Sequence, residues 1–333
     1  MDHLRIGVVG AGYMGTNFAR LIQAHPLCEL AGIADLNPEV AARASDSLGC
    51  AAFSSAEALL GSGRVDGLVV TTVEDQHVGP CLAAFAQGTG VLVEKPIATT
   101  VEDAEAIIAA AAAAGRPLLV GHVLRFDARY ARLQEDVASG VVGDPLTIFA
   151  RRLNGVGAQS RLRGRCSLPL FLGVHDYDLV RWIAGSEVTE VVARERRGYL
   201  EGLGYPVEDA SVALLTMDNG VLATVEEGWI LPESHPVGFD QRFDVNGGAG
   251  RIELVGHEGG VSIMTERVAW PDTQLWPTVH GQVDGALRRE LWHFVEVLRG
   301  ETAPMITGAD GLAALRIALA VEESARTSTP VRL

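Results

Sequence analysis

The chain has 333 residues and a formal net charge of -15, from 27 basic and 42 acidic side chains. That field repels nucleic acid and anionic membrane surfaces, and no apolar run reaches the roughly 18 residues a membrane span needs. The length suffices for two domains with a large core. Cys28, Cys50, Cys81 and Cys166 are scattered, with no C-x-x-C, which predicts reduced thiols in a cytoplasmic protein. Residues 1–3 lead straight into an apolar stretch, without the basic-then-apolar pattern of a leader.

The first half alternates strand and helix. Leu4–Val9 is an apolar strand, followed by Gly10-Ala-Gly12-Tyr13-Met14-Gly15 and a helix from about Met14 to Gln23. A G-x-G-x-x-G in that setting lets backbone approach a pyrophosphate at a helix N-terminus. The next apolar run, Leu30–Ala34, ends in Asp35, 20 residues past Gly15, where a carboxylate suits the adenosine ribose hydroxyls. NAD is therefore expected over NADP, because Asp35 would repel a 2′-phosphate. A helix over Asn37–Leu48 follows, then a capping box at Ser54 and Glu57, a buried strand Gly67–Thr71 and a helix His77–Gln87. The strand Val91–Val93 stops at Glu94-Lys95-Pro96, since proline cannot donate to a ladder. Thr99 and Glu102 box a Val101–Ala114 helix that Gly115 ends, and Pro117–Gly121 is the last strand. This is a six-stranded, doubly wound parallel sheet, a Rossmann domain over 1–121. Thr72 and Glu74, at a strand's carboxyl end, should flank the cofactor. His77 fits a structural or cofactor-packing role. Lys95 is either a surface lysine or, at the edge where ligands bind, a group that polarises a substrate oxygen.

The second domain, 122–333, changes period. Gly121–Phe126 leads to a helix reaching about Val137. Leu146–Arg152, Val188–Arg196, Ala210–Met217, Val221–Glu227, Arg242–Asn246, Arg251–Val255 and Val261–Thr265 have strand patterns, with Asp218-Asn219-Gly220 as a hairpin turn. They predict an α+β domain with an open, mainly antiparallel sheet of about six strands, whose free face suits a homodimer or homotetramer. Gly285–Arg299 and Ala309–Ala325 are amphipathic helices, and the latter can pack back on the first domain. His175-Asp176-Tyr177-Asp178 opens a helix to Ile183; His175 faces either solvent or a cleft. His-x-x-Asp without a third ligand does not make a metal site. Arg151, Arg152, Arg161, Arg163 and Arg165 either hold an anionic substrate group or pair with this acidic chain's carboxylates. Arg152 is the first candidate, because a strand holds it more rigidly than the loop, and period two puts Arg151 and Arg152 on opposite faces, so at most one of them faces the cleft.

Taken together, Gly10-x-Gly-x-x-Gly15, Asp35, Thr72 with His77, Glu94-Lys95-Pro96, Arg125-Phe126 and His175-x-x-Asp178 resemble the Gfo/Idh/MocA oxidoreductases, over nearly the whole chain. The pairing of Glu-Lys-Pro with a downstream His-x-x-Asp is specific; the glycine motif alone is not. The resemblance implies hydride transfer between NAD and a secondary hydroxyl or ketone of a sugar, nucleotide-sugar or cyclitol. It makes Lys95 and His175 the catalytic pair. Arg125, Arg152, Phe171, Asp176, Asp178 and Trp229 become candidate substrate contacts, and Gly10, Gly12, Tyr13, Met14, Gly15, Asp35, Thr72, Glu74, His77, Glu94 and Lys95 candidate cofactor contacts. Two departures weigh against simple inositol without removing cyclitols: Phe171 stands where many relatives carry Asp, and Leu124 where relatives that bind inositol directly often carry Arg. Rival roles in the same fold are an NAD-retaining glycoside hydrolase and a non-catalytic dinucleotide-binding regulator.

Overall fold

The structure, a computed structural model, describes residues 3–236, 238–256, 260–266 and 268–333. Met1 and Asp2, expected to lead into the first strand, lie outside them. The chain divides into two compact units, Met1–Phe126 with Gln274–Leu312, and Asp127–Thr273 with Ala313–Leu333. It thus passes between units after residues 126, 273 and 312, not once after residue 121.

In the first unit β1 (Leu4–Val9), α1 (Tyr13–Ala24), β2 (Cys28–Ala34), α2 (Pro38–Leu48), β3 (Ala52–Phe53), α3 (Ala56–Leu60), β4 (Gly67–Val70), α4 (Val78–Ala86), β5 (Gly90–Glu94), α5 (Val101–Ala114) and β6 (Leu118–Gly121) follow in order. The strands form one parallel sheet, β3-β2-β1-β4-β5-β6. Strand order reverses between β1 and β4, the place where such sheets bind ligands. Leu68, Val69, Val70, Val91, Leu92 and Val93 are fully buried, which is why β4 and β5 are continuous apolar runs.

Helix ends follow local chemistry. Asn37 caps α2 by accepting the Glu39 and Val40 amides, Pro38 fills the first position, and Gly49 closes it at φ 63. In place of the boxes expected at Ser54 and Thr99, simple caps form one residue later. Ser55 accepts the Ala58 amide and Thr100 the Asp103 amide. Each site is a doublet of hydroxyl residues, and the second member has the extended backbone that aims its oxygen at the third helical amide.

The second unit starts after a 3-10 turn at Val123–Phe126. It contains α6 (Ala128–Ala138), β7 (Pro145–Gly155), α7 (Gln159–Leu162), a π-helical turn at Pro169–Gly173, α8 (Val174–Ala184), β8 (Val188–Arg196), α9 (Tyr199–Gly202), β9 (Ala210–Met217), β10 (Leu222–Leu231), β11 (Phe239–Gly247) and β12 (Arg251–Val255). Two ribbons follow, β13 (Ile263–Met264) with β14 (Val268–Ala269) and β15 (Thr278–Val279) with β16 (Gln282–Val283). Then come α10 (Ala286–Leu298), α11 (Gly308–Thr327) and β17 (Val331–Arg332).

The large sheet here has seven strands, β12-β11-β7-β10-β9-β8-β17, and is mixed: β7 and β10 run parallel. Only a hairpin obliges neighbours to be antiparallel, and α8 and two strands separate these two in sequence. The stretch Val261–Thr265, expected in this sheet, supplies β13 of a separate ribbon, and β17 takes the edge beside β8. Helix α8 packs on β7 and β10. The opposite face leaves Val212, Leu214, Leu222 and Ile230 exposed at 42–47%.

Residues 274–312 rejoin the first unit because α10 fits its sheet. A Cβ on Gly67 would lie 2.6 Å from Leu298, and one on Gly90 2.5 Å from it, so glycine at the starts of β4 and β5 makes room for the helix.

Candidate active site

In the first unit the glycine turn sits where the strand order reverses. Gly10 has φ 95, and a Cβ there would lie 2.5 Å from the Thr71 carbonyl. A Cβ on Gly15 would collide with the Gly10 carbonyl, so both must be glycine. Gly12 is different: nothing lies within 4 Å of its missing Cβ. It is the N-cap of α1, with no side chain capping the helix and no acidic residue in the first turn. Backbone amides and the positive dipole end therefore face open space beside a bare backbone. Tyr13 is 62% exposed at its rim, and Met14 is half-buried behind it.

Asp35 closes this cradle. Its Oδ2 accepts the Ala11 amide at 2.9 Å and its Oδ1 the Asn37 amide at 2.8 Å. The carboxylate is thereby held between the turn and the next helix, with further lone pairs for ribose hydroxyls. Leu36 beside it is 73% exposed and carries no charge. Open glycine, uncapped helix and fixed carboxylate fit a dinucleotide.

Lys95 follows directly on β5, and its amide donates to Glu94 Oε2 at 3.2 Å. His77 braces this segment from α4: it is 1% exposed, with Nδ1 2.9 Å from the Pro96 carbonyl and Nε2 3.3 Å from the Thr72 carbonyl. Burial lowers its pKa against the pull of those carbonyls, and the ring lies between the Thr72 loop and the Lys95 loop, where a neutral imidazole donates to one of the two carbonyls. Thr72 Oγ1 in turn donates to the Gln76 carbonyl, across the short turn carrying Glu74. Behind Lys95, Glu94 Oε1 and both oxygens of Glu290 are buried without a protein partner. Burial lifts Glu94 to about 7, with Lys95 pulling it back. Burial first, and then the Glu94 charge, raise Glu290 well above the carboxylate range.

Arg125, expected at the substrate, is 6% exposed and donates to Asp310 at 3.1 Å and to the Met305 carbonyl at 3.4 Å. These contacts tie the 3-10 turn to the start of α11. Burial works against the Asp310 charge, but hydrogen bonds from Thr307 and the Arg125 cation win and lower its pKa.

The second unit holds the remaining candidates. His175, in the first turn of α8, is partly exposed, whereas Asp176, Tyr177 and Asp178 are buried. Asp176 receives Arg152 through two hydrogen bonds, and Asp178 lies 4.0 Å from Arg181. Phe171 stacks at a tilt on Trp229, ring centroids 5.5 Å apart, and Trp229 is fully buried in a cluster with Leu162, Leu168, Leu172, Leu200 and Val207. Trp229 is thus a core residue, and Arg152 is committed to a carboxylate. Arg151 binds Asp240 at 2.5 Å from the other sheet face, while Arg161, Arg163 and Arg165 are exposed. Among the described residues no group of three or more His, Cys, Asp or Glu is placed to hold a metal.

Three buried glutamates escaped the sequence analysis. Glu227 follows Ala223 and Val225 at the inward period of β10, and Glu290 lies between Leu287, Leu291 and Phe294 on the apolar stripe of α10. Glu208, 2% exposed before β9, accepts the Leu168 amide. For the first two the signal was available: an ionisable residue at a core position breaks the binary pattern.

Residues 4–122 match the family model described as "Oxidoreductase family, NAD-binding Rossmann fold", and residues 130–253 match the "GFO/IDH/MocA C-terminal domain". The chain belongs to the Gfo/Idh/MocA oxidoreductase family. Residues 4–122 of the first unit are that family's NAD-binding Rossmann domain, consistent with the cradle around Gly12. Inositol 2-dehydrogenase 4 of Saccharopolyspora erythraea is 30% identical, over 99% of this chain and 96% of the relative. Scyllo-inositol dehydrogenase from Lactobacillus casei, solved with NAD(H) and scyllo-inositol, shares the fold at a TM-score of 0.87 and 23% identity, covering 99% of both chains. GenD2 from gentamicin A biosynthesis, solved with NAD, also gives 0.87, at 22% identity, over 100% of this chain and 97% of its own.

Proposed function

We propose that the protein is an NAD-dependent dehydrogenase that interconverts a secondary hydroxyl and a ketone on a cyclitol or sugar ring. The observation that carries this reading is the position of Lys95, one residue past β5 in a sheet whose glycine turn and Asp35 fit a dinucleotide. The relatives named inositol 2-dehydrogenase support a polyol ring as the substrate class. Bound NAD supplies the hydride acceptor. His175 takes the hydroxyl proton as general base, which an imidazole does well near neutral pH. Lys95 donates to the same oxygen and stabilises the charge developing on it. His77 and the Glu94 carboxylate hold the Lys95 backbone, through the Pro96 carbonyl and the Lys95 amide.

Incubation with NAD and a panel of inositols, sugars, uronates and nucleotide-sugars, followed at the NADH absorbance, tests the assignment. Free NADH formed in step with ketone is the expected result. Glycoside cleavage without net NADH would mean instead that the cofactor is retained through a hydrolytic cycle, and silence throughout would favour a non-catalytic regulator.

The open face of the seven-stranded sheet supports a homodimer or homotetramer, because Val212, Leu214, Leu222 and Ile230 form an apolar patch on it. Light scattering on the wild type and on Leu214→Glu tests this: the wild type should be oligomeric and the variant smaller. Cys28, Cys50, Cys81 and Cys166 form no disulfide, which suits a cytoplasmic enzyme, and no helix among the described residues is long and apolar enough to cross a membrane.

A further inference from the structure

A buried polar row crosses the sheet of the second unit. Ser211 on β9 is paired with Glu227 on β10, Glu227 with Arg152 on β7, and Arg152 with Gln241 on β11. Residues directly opposite one another share a face, and these four are only 1–5% exposed. Their neighbours on that face are apolar: Ala213, Leu215, Ala223, Val225, Ala150 and Phe243. The first turn of α8 sits on the row. Asp176 takes the Arg152 guanidinium at 2.7 and 2.9 Å, and the Tyr177 hydroxyl donates to Glu227 Oε1. Gly173, just before the helix, has no room for a Cβ because Glu227 Oε1 occupies that space.

The charges in this row do not balance if Glu227 is ionised. The Arg152 cation is matched by Asp176, which leaves Glu227 without a cation of its own. Its Oε2 is buried with no protein partner, and so is Ser211 Oγ on the residue directly opposite. A carboxylate there would be an uncompensated buried charge. A proton on Glu227 removes that charge and adds a donor beside the serine oxygen.

We propose that Glu227 is a positioning residue for His175, holding the first turn of α8 through Tyr177 as a neutral carboxylic acid. Its role toward His175 rests on the dehydrogenase reading; its protonation does not. The groups that face it are Arg152 from β7, Asp176 and Tyr177 from α8, and Glu208 from the segment before β9. Tyr130 of α6 bears on Arg152, and Glu322 of α11 on Tyr177. Burial pushes Glu227 up to about 8; Asp176 and Glu208 add to the rise, while the Tyr177 hydrogen bond and Arg152 oppose it. Above that pH the charge beneath α8 is relieved by admitting water between helix and sheet, which displaces His175.

Two measurements on wild type, Glu227→Gln and Glu227→Ala test this. The first is melting temperature against pH. The folded pKa lies above the unfolded one of about 4.3, so wild-type stability falls as pH rises between about 4.3 and 8. Glutamine lacks that loss, so the Glu227→Gln melting temperature should gain on wild type by several degrees from pH 5 to pH 8. Parallel curves would overturn the neutral acid. The second is kcat against pH with the substrate found above. Glu227→Gln should stay within about threefold of wild type at pH 7 and lose the wild-type decline near pH 8, whereas Glu227→Ala should lose at least about tenfold in kcat with KM for NAD unchanged. A wild-type-like Glu227→Ala, or an alkaline decline retained in Glu227→Gln, would overturn the positioning role. If the wild type turns over nothing in the panel, the dehydrogenase reading fails instead, and the melting curves still decide the state of Glu227.

Discussion

Arg152 closes on Asp176 as a fork on a fork, Nε to Oδ2 at 2.7 Å and Nη2 to Oδ1 at 2.9 Å, with both side chains almost wholly buried. Its remaining Nη1 donates to Gln241 Oε1 at 3.2 Å. A guanidinium committed in this way has little left for a substrate phosphate or carboxylate. The pair joins β7 to α8 one residue from His175, so its effect on chemistry runs through the helix.

Removing Arg152 strands the Asp176 charge in the core. Arg152→Ala should destabilise the second unit by about 3–5 kcal/mol, the usual cost of breaking a buried pair from one side, as measured by urea denaturation. KM values for a neutral sugar and for its uronate should move together. A selective rise for the uronate would return Arg152 to the substrate site.

The contrast between Arg152 and Asp35 shows what a linear sequence exposes. The position of Asp35 was legible because it depends on spacing from Gly15 along one strand-helix-strand unit, and local hydrogen bonds from the Ala11 and Asn37 amides fix it. The Rossmann order and most element ends were legible for the same reason. Arg152 was placed correctly on the sheet face opposite Arg151, yet its partner lies 24 residues away on a helix, and pairing across such distances leaves no periodic trace. The parallel β7–β10 contact and the return of α10 to the first unit are likewise long-range choices. The capping shifts at Ser55 and Thr100 are a finer limit, since a doublet of hydroxyl residues offers two caps and backbone geometry selects one.

Lys95→Ala and His175→Ala should each lower kcat by at least about a hundredfold, the range of acid-base and oxyanion contributions. NAD affinity, read by calorimetry, should change little in either. Full turnover in both variants would remove the pair from the mechanism, and loss of NAD binding in Lys95→Ala would assign that lysine to the cofactor.

Cofactor choice should turn on Asp35. Its carboxylate is fixed by two amides and would repel a 2′-phosphate, and the exposed Leu36 offers a site for a cation. Asp35→Ser with Leu36→Arg should shift the ratio of kcat/KM toward NADP by at least about tenfold, equivalent to one charge-assisted contact. A wild type that already prefers NADP would contradict the role given to Asp35.

Glu290 provides a test of the buried acid pair behind Lys95. It is fully buried on the apolar stripe of α10, and neither oxygen has a protein partner. Burial and the Glu94 charge both raise its pKa, so in the folded protein it holds a proton that the unfolded chain releases near pH 4.3, within about a unit. The unfolded state therefore binds fewer protons over that window, and stability falls as pH rises through it. Glu290→Gln keeps the shape and cannot ionise. Its melting temperature should match wild type near pH 4 and exceed it progressively toward pH 8. Because Glu94 supplies part of the shift, the two sites should couple. In a Glu94→Gln background the gain from Glu290→Gln should shrink, since the repulsion it relieves has already gone. A Glu290→Gln advantage that is flat across pH, or one unaffected by Glu94→Gln, would show that the two carboxyls do not share this neighbourhood electrostatically.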